Sequence, residues 1–169
     1  MRTFCNDLAR AIPGSKRVNR GKLSMDGVAE KALELGANRV ILVCRWKGGP
    51  GKIELFEVGM ERLIPVPPLL YVRGVKLQRE FKRGRPPPVR SLVVIAPQEG
   101  LEESVRIAEA LSEFLNVPMV SESQAVHMGQ AAIKVRVDPE GRQQITFLSL
   151  PRLVEIGPRI TISRAIWLD

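Results

Sequence analysis

The sequence is poor in the residues on which most enzymes and stapled folds depend. Its 169 residues include one histidine, two cysteines and one tyrosine, and aromatics make up only 5%. The lone histidine, His127 in SESQAVHMGQ, has no second histidine and no Cys or Asp at ligand spacing. It reads as a surface or capping residue, because general-base work needs a partner that orients the ring. A metal centre needs several converging ligands, and none are spaced for one. Cys5 and Cys44 are far apart and neither belongs to a CxxC pair. Both read as small buried hydrophobes, which excludes a disulfide scaffold. No G-x-S-x-G motif is present, so a serine nucleophile elbow is excluded. Gly48-Gly49-Pro50-Gly51-Lys52 is not a phosphate loop: Trp46 and Ile53 stand where Gly and Ser or Thr are required. Glu102-Glu103 opens a helix, where acids suit the positive end of the dipole. The chain is therefore read as having no catalytic residue, no metal and no cofactor.

Long apolar runs are also missing. The longest, near Val40–Cys44 and Leu92–Ala96, are strand-sized, and a membrane span needs about 18 residues or more. The N-terminus has Arg2 but no apolar segment of signal-peptide length. A cytoplasmic location without membrane contact is the expectation.

What the chain has in excess is gathered positive charge. With 26 basic and 18 acidic residues, its net charge is +8. Arg73, Lys76, Arg79, Lys82, Arg83, Arg85 and Arg90 form one cluster, with Glu80 as its only acid, for a local charge of +6. Lys16, Arg17, Arg20 and Lys22 form a second, worth +4, with no acid between them. Together they carry +10, so the rest of the chain sums to −2. Gathered cations create a field that attracts a polyanion, and nucleic acid is the commonest inside cells. Of the 26 basic residues 18 are arginine, whose planar fork donates paired hydrogen bonds to phosphate. The candidate stacking aromatics are Trp46, Phe56, Tyr71, Phe81 and Trp167, most of them expected in the core. Contact through phosphate, sugar and shape is therefore expected to outweigh stacked, sequence-read bases.

Apolar content of 44% and charged content of 26% are those of a globular chain. Phe4, Leu8 and Ile12 recur at helical spacing until Pro13-Gly14. Ser24 caps a second helix with an inner stripe of Val28, Ala32 and Leu35, ending at Gly36. Val40–Cys44 reads as a strand covered on both faces. Lys47–Gly51 turns the chain into a strand over Ile53–Val58. Pro65, Pro67 and Pro68 break the chain before a strand over Leu69–Leu77. The pattern then restarts. Ser91–Ala96 reads as a buried strand, and Leu101, Val105, Ala108, Leu111 and Leu115 as one helical face with Asn116 past its end. Strands follow over Val117–Val120, Ile133–Val137, Ile145–Leu150 and Ile160 to Trp167, with a turn at Asp138–Gly141. Arg39–Gly74 and Ala131–Ile166 are the clearest matching spans, which suggests an internal duplication. Residues 1–85 form an N-terminal half and 89–169 a C-terminal half. The basic stretch 82–90, with three successive prolines, is a stiff extended joint. The second copy opens on a strand and the first on a helix, so the first half is expected to lack its leading strand. An open sheet edge follows from that.

FCNDLARAIPGSKRVNRGKLSMDGVAEKALELGANRVILV, RWKGGPGKIELFEV and EIGPRITISRAIW resemble the Brix domain of ribosome-biogenesis proteins, in a compact archaeal form. The resemblance covers essentially residues 1–169. It is carried best by RVNRGK (Arg17–Lys22) and IGPRITI (Ile156–Ile162). It implies an α/β fold with mixed sheets and two similar halves, each like the anticodon-binding domain of class IIa aminoacyl-tRNA synthetases. It also implies a non-catalytic factor that binds ribosomal RNA or its precursor and works with other assembly proteins. The family's Gly-Pro-Arg maps onto Gly157, Pro158 and Arg159. Gly157-Pro158 is assigned to backbone geometry, while Arg20 and Arg159 join the RNA-binding set. Two alternatives stay open: a scaffold whose basic faces dock acidic proteins, and a nuclease, against which the absent acid, base and metal groups speak.

Overall fold

Phe4, Leu8 and Ala11 recur every three or four residues, which stacks them on one face of helix α1 (Arg2–Ala11), where all three are buried. The computed structural model describes residues 1–167. The other long helices are α2 (Met25–Glu34) and α3 (Glu102–Leu115); α4 (Glu122–Ala125) is a single turn. The strands are β1 (Arg39–Trp46), β2 (Gly49–Val58), β3 (Leu63–Lys76), β4 (Leu92–Ile95), β5 (Met119–Val120), β6 (Ala131–Val137), β7 (Gln143–Ser149), β8 (Val154–Glu155) and β9 (Arg159–Ile166). A 3-10 turn spans Gln78–Phe81.

All nine strands join one sheet in the order β1-β2-β3-β9-β7-β6-β4-β5, with β8 paired to β7. Only β4 pairs in parallel, with β5 and β6. The fold is thus mixed α/β with a mostly antiparallel sheet. The last strand, β9, pairs with β3 on one side and β7 on the other, and so joins the β1-β2-β3 portion of the sheet to the β7-β6-β4-β5 portion.

Period-2 alternation decides what each face meets. Ile53, Leu55, Leu70, Ile133, Val135, Ile145, Phe147, Ile160 and Ile162 point to one side and form the main core with α1 and α3. On the other side, α4 covers Val93, Ile95, Ala132 and Leu148 through Ala125. At the opposite end of that side α2 packs on β2 and β3, with Ala29, Ala32, Leu42 and Phe56 buried.

Several sequence expectations shift. The Ser24 cap holds, since Ser24 Oγ accepts from Gly27 N–H at 3.1 Å. The buried face of α2 is Ala29 and Ala32, however, and Leu35 stays 41% exposed. In α3 Ile107 and Phe114 replace Leu101, Val105 and Leu115 in the buried stripe, which keeps Ala108 and Leu111. β1 is not covered on both faces: it forms the sheet's outer edge, and only Leu42 in it is buried. An apolar run of this length fits a central strand and a half-covered edge equally well. The prolines do not break the chain. β3 runs through them, because Pro67, Pro68 and Leu69 fall in a register shift opposite Ile53–Leu55, where no ladder bond is required of a proline. The β1–β2 turn is tighter than expected, with Lys47 and Gly48 at φ 49° and 82°, as a two-residue hairpin loop of the I′ kind requires.

Candidate nucleic-acid interface

The first basic segment leaves the C-terminal end of α1. Ser15 Oγ donates to the carbonyls of Ala9 at 3.0 Å and Ile12 at 2.6 Å, which anchors the loop that follows. Lys16, Arg20 and Lys22 are exposed and Arg17 is half-buried. Arg17 donates to Asn19 Oδ1 at 2.6 Å and Arg20 Nε to the Leu23 carbonyl at 3.0 Å. In β1, burial pushes the Cys44 thiol up, Glu54 adds to this, and Lys52 and Arg20 act against it.

The second segment begins in β3 and wraps back to α1. Gln78 N–H donates to the buried Asp7 carboxylate at 2.9 Å, and Gln78 Nε2 donates to the Gly157 carbonyl at 3.2 Å. Past the 3-10 turn the chain is irregular, with Lys82, Arg83, Arg85 and Arg90 exposed and Val89 buried in the core. Arg10 Nη2 donates to the Pro86 carbonyl at 2.6 Å, and Val89 N–H donates to the Arg10 carbonyl at 2.8 Å. The Pro-rich stretch is thereby pinned at the end of α1 from which the first basic segment departs.

Charge compensation is sparse in both segments. Among the described residues, the ion pairs are Lys31–Glu34, Lys52–Glu54, Lys134–Glu122, Arg136–Glu155 and Arg159–Glu155. None involves Lys16, Arg17, Arg20, Lys22, Arg73, Lys76, Arg79, Lys82, Arg83, Arg85 or Arg90. Glu80, the one acid in the second run, accepts the Leu77 backbone N–H at 2.7 Å instead.

Arg159 differs from the other eleven. Its Nη2 and Nε reach Glu155 at 2.6 and 2.7 Å, and Arg136 Nη2 reaches the same carboxylate at 3.2 Å. Thr146 Oγ1 donates to it as well. Burial, the largest single influence, pushes Glu155 up. Hydrogen bonds from Arg159 and Thr146, with the charges of Arg136 and Arg159, outweigh it and hold the carboxyl at about 2. Arg159 is thus placed by a carboxylate, and its guanidinium lies 5.4 Å from the centre of the Phe81 ring. Lys76 Nζ sits 4.5 Å from the same ring. Lys76, Lys82, Arg83 and Arg159 line a shallow cleft of about 620 Å³, with Phe81 as its apolar wall.

The backbone before β9 makes that arrangement possible. Gly157 has φ +71°, and a Cβ placed there would stand 2.5 Å from Phe81 Cε2. Gly157→Ala is expected to cost about 2 kcal/mol, from left-handed backbone strain and displacement of the ring. Urea unfolding checks the cost.

The aromatics behave unlike the sequence expectation. Of the five candidates only Phe56 is fully buried, while Trp167 packs against the edge of the main core. Trp46, Tyr71, Phe81 and Trp167 each hold a cation over the ring: Lys47, Arg164, Lys76 with Arg159, and Arg106. Arg136, Arg164 and Glu155 were not singled out from sequence as part of a site, and Tyr71 only as a candidate stacking aromatic. Tyr71 and Arg164 meet only when β3 aligns with β9, and Arg136 and Glu155 only when β6 and β8 align across β7, and no local spacing signals this. His127 is exposed. Among the described residues no helix is long and apolar enough to cross a membrane.

No protein-family model matches the chain. Curated relatives do. A probable Brix domain-containing ribosomal biogenesis protein of Methanopyrus kandleri is 29% identical over 167 residues, covering 94% of this chain and 84% of the relative. One of the same name from Aeropyrum pernix is 39% identical over 87 residues, 51% of this chain and 48% of that protein. The chain thus matches only about half the length of the second. In three dimensions, the crystal structure of a probable ribosomal biogenesis protein from Aeropyrum pernix K1 superimposes with a TM-score of 0.78 at 26% identity, covering 98% of this chain and 91% of that one. The Brix-type motifs, the mixed α/β sheet and these likenesses agree: over nearly its whole length the chain is similar to archaeal Brix domain-containing ribosomal biogenesis proteins.

Proposed function

We propose that this protein binds ribosomal RNA or its precursor through its two basic segments and assists RNA processing or ribosome assembly without catalysing a reaction. The observation that carries this reading is the set of eleven clustered cations without a carboxylate partner among the described residues, in two segments that approach at the end of α1. Uncompensated cations cost little in water and gain by releasing counterions from a phosphate backbone. Its names of relatives, all ribosomal biogenesis proteins, suit that role. Partners would be the RNA and other assembly proteins, in the cytoplasm.

The strand order supports the two-halves reading. β1-β2-β3 meets β9-β7-β6 across the antiparallel β3–β9 pair, so hairpin and third strand occur twice about a central pair. β4 flanks β6 in parallel, while nothing flanks β1. Each half would then resemble an anticodon-binding domain, the first without its leading strand.

Filter binding with ribosomal RNA fragments tests the reading. With six to eight phosphates engaged, the log-log slope of affinity against salt is expected at about −4 to −7. No binding at about physiological salt would favour a scaffold for acidic proteins instead. The unpaired edge of β1 and the exposed Trp46 beside it give that second reading its footing. Magnesium-dependent cleavage by the pure protein would revive a nuclease.

A further inference from the structure

Among the described residues, the helices on the side of the sheet opposite α1 and α3 lie at its two ends. α2 lies over Leu42 and Phe56, and α4 over Ala132 and Leu148. Between them the strand pairing brings a row of polar side chains to one face. Lys52 is opposite Tyr71, Tyr71 opposite Arg164, Gly74 opposite Thr161, Thr161 opposite Gln144, and Gln144 opposite Arg136. The alternate positions, Ile53, Leu70, Ile162, Ile145 and Val135, all enter the core. The row is therefore the outward face of five strands.

Three properties of this row point to a ligand. First, its floor is low: a Cβ at Gly74 would meet nothing within 4 Å. Second, its hydrogen-bonding groups form a chain. Arg136 Nε donates to Gln144 Oε1 at 3.2 Å, and Gln144 Nε2 donates to Thr161 Oγ1 at 3.1 Å. Amide and hydroxyl are thereby oriented and still have donor and acceptor capacity to share. Third, the free cations are held by rings. The Arg164 guanidinium lies 4.9 Å from the centre of the Tyr71 ring and makes no ion pair among the described residues. Lys76, at the other end of the bare floor, rests on Phe81 in the same way. A ring fixes a cation's position without cancelling its charge, which a carboxylate would do. A guanidinium lying on a ring can offer its second face to a base and its edge to a phosphate.

We propose that this open sheet face, centred on Tyr71, Arg164, Gly74, Thr161 and Gln144, is a second RNA contact that takes a single-stranded segment. The proposal rests on the ribosomal RNA reading and adds to it the strand state of the RNA and residues that the basic segments do not include, Tyr71, Gln144, Thr161 and Arg164. A duplex is too stiff and broad for a sheet floor closed at both ends by helices. A single strand can lay its bases against the floor and its phosphates against Arg164 and Lys76.

The test compares Arg164→Gln, Tyr71→Leu and the triple variant Lys82→Gln, Arg83→Gln, Arg85→Gln in the full chain. The probes are a short oligouridylate, a ribosomal RNA hairpin and a poly-glutamate peptide. Arg164→Gln and Tyr71→Leu are expected to weaken oligouridylate binding by about five- to tenfold, with hairpin binding nearly unchanged and unfolding midpoints close to the parent. A 4-thiouridine oligonucleotide should crosslink to peptides from β3 and β9. Unchanged oligouridylate affinity in both single variants, with weakened hairpin binding in the triple variant, would overturn the sheet-face site and leave the ribosomal RNA reading standing. Absence of binding to either RNA by the parent protein would overturn both. Binding of poly-glutamate in preference to oligouridylate would overturn the assignment of the face to RNA.

Discussion

Replacing Lys82, Arg83 and Arg85 with glutamine is expected to weaken ribosomal RNA binding by about tenfold or more at physiological salt, and to flatten the salt slope by about 2. The three side chains are exposed and have no carboxylate partner among the described residues. Their removal therefore breaks no ion pair, and the fold should keep its stability. Lys82 and Arg83 line the cleft beside Phe81, while Arg85 precedes the prolines pinned to Arg10. Each lost phosphate contact removes about 0.7 of a unit of slope on a single-stranded segment, whatever the RNA sequence. Filter binding across a salt series measures both effects. An unchanged slope would remove this segment from the interface.

Glu155→Gln is expected to destabilise the protein by about 2–3 kcal/mol at neutral pH, the largest effect among single surface-proximal changes. The carboxylate accepts from Arg159, Arg136 and Thr146, and its side chain is 18% exposed. Glutamine keeps the size but leaves two guanidinium groups without a counter-charge. The pH dependence separates charge from shape. Folding lowers the Glu155 pKa to about 2 from 4.5, so its stabilising effect is fully present above about pH 5 and is lost as pH falls through the folded value. The stability gap between parent and variant should shrink to about half or less near pH 3. Urea unfolding at several pH values reads this directly. A gap independent of pH would assign the loss to packing. The variant also loosens Arg159, and with it one wall of the basic cleft.

Much of this molecule could be read one residue at a time. Phe4 and Leu8 mark α1 by spacing alone, Ser24 marks the start of α2, and Ile133 and Val135 show which face of β6 is inward. Charge clustering needs no structure, because Lys16–Lys22 and Arg73–Arg90 are contiguous. Where local signals were ambiguous, packing decided. The prolines of β3 looked like a break because a proline cannot serve a ladder, and only the bulge opposite Ile53–Leu55 accommodates them. Val40–Cys44 looked central because apolar content does not report how many neighbours a strand has. The buried stripes of α2 and α3 are each rotated from the expected ones, because a helix with apolar residues on adjacent faces turns toward whichever the sheet can accept.

The sequence by itself determined the three long helices, most of the strands, the excess of cations and their division into two runs, since these depend on neighbours along the chain. Only the tertiary structure decided that β9 would join β3 to β7, that Glu155 would hold Arg136 and Arg159, and that Tyr71 and Phe81 would carry cations over their rings. Those contacts join residues up to about a hundred positions apart. They arise from strand register, which is set by the burial of whole faces at once and by no single segment.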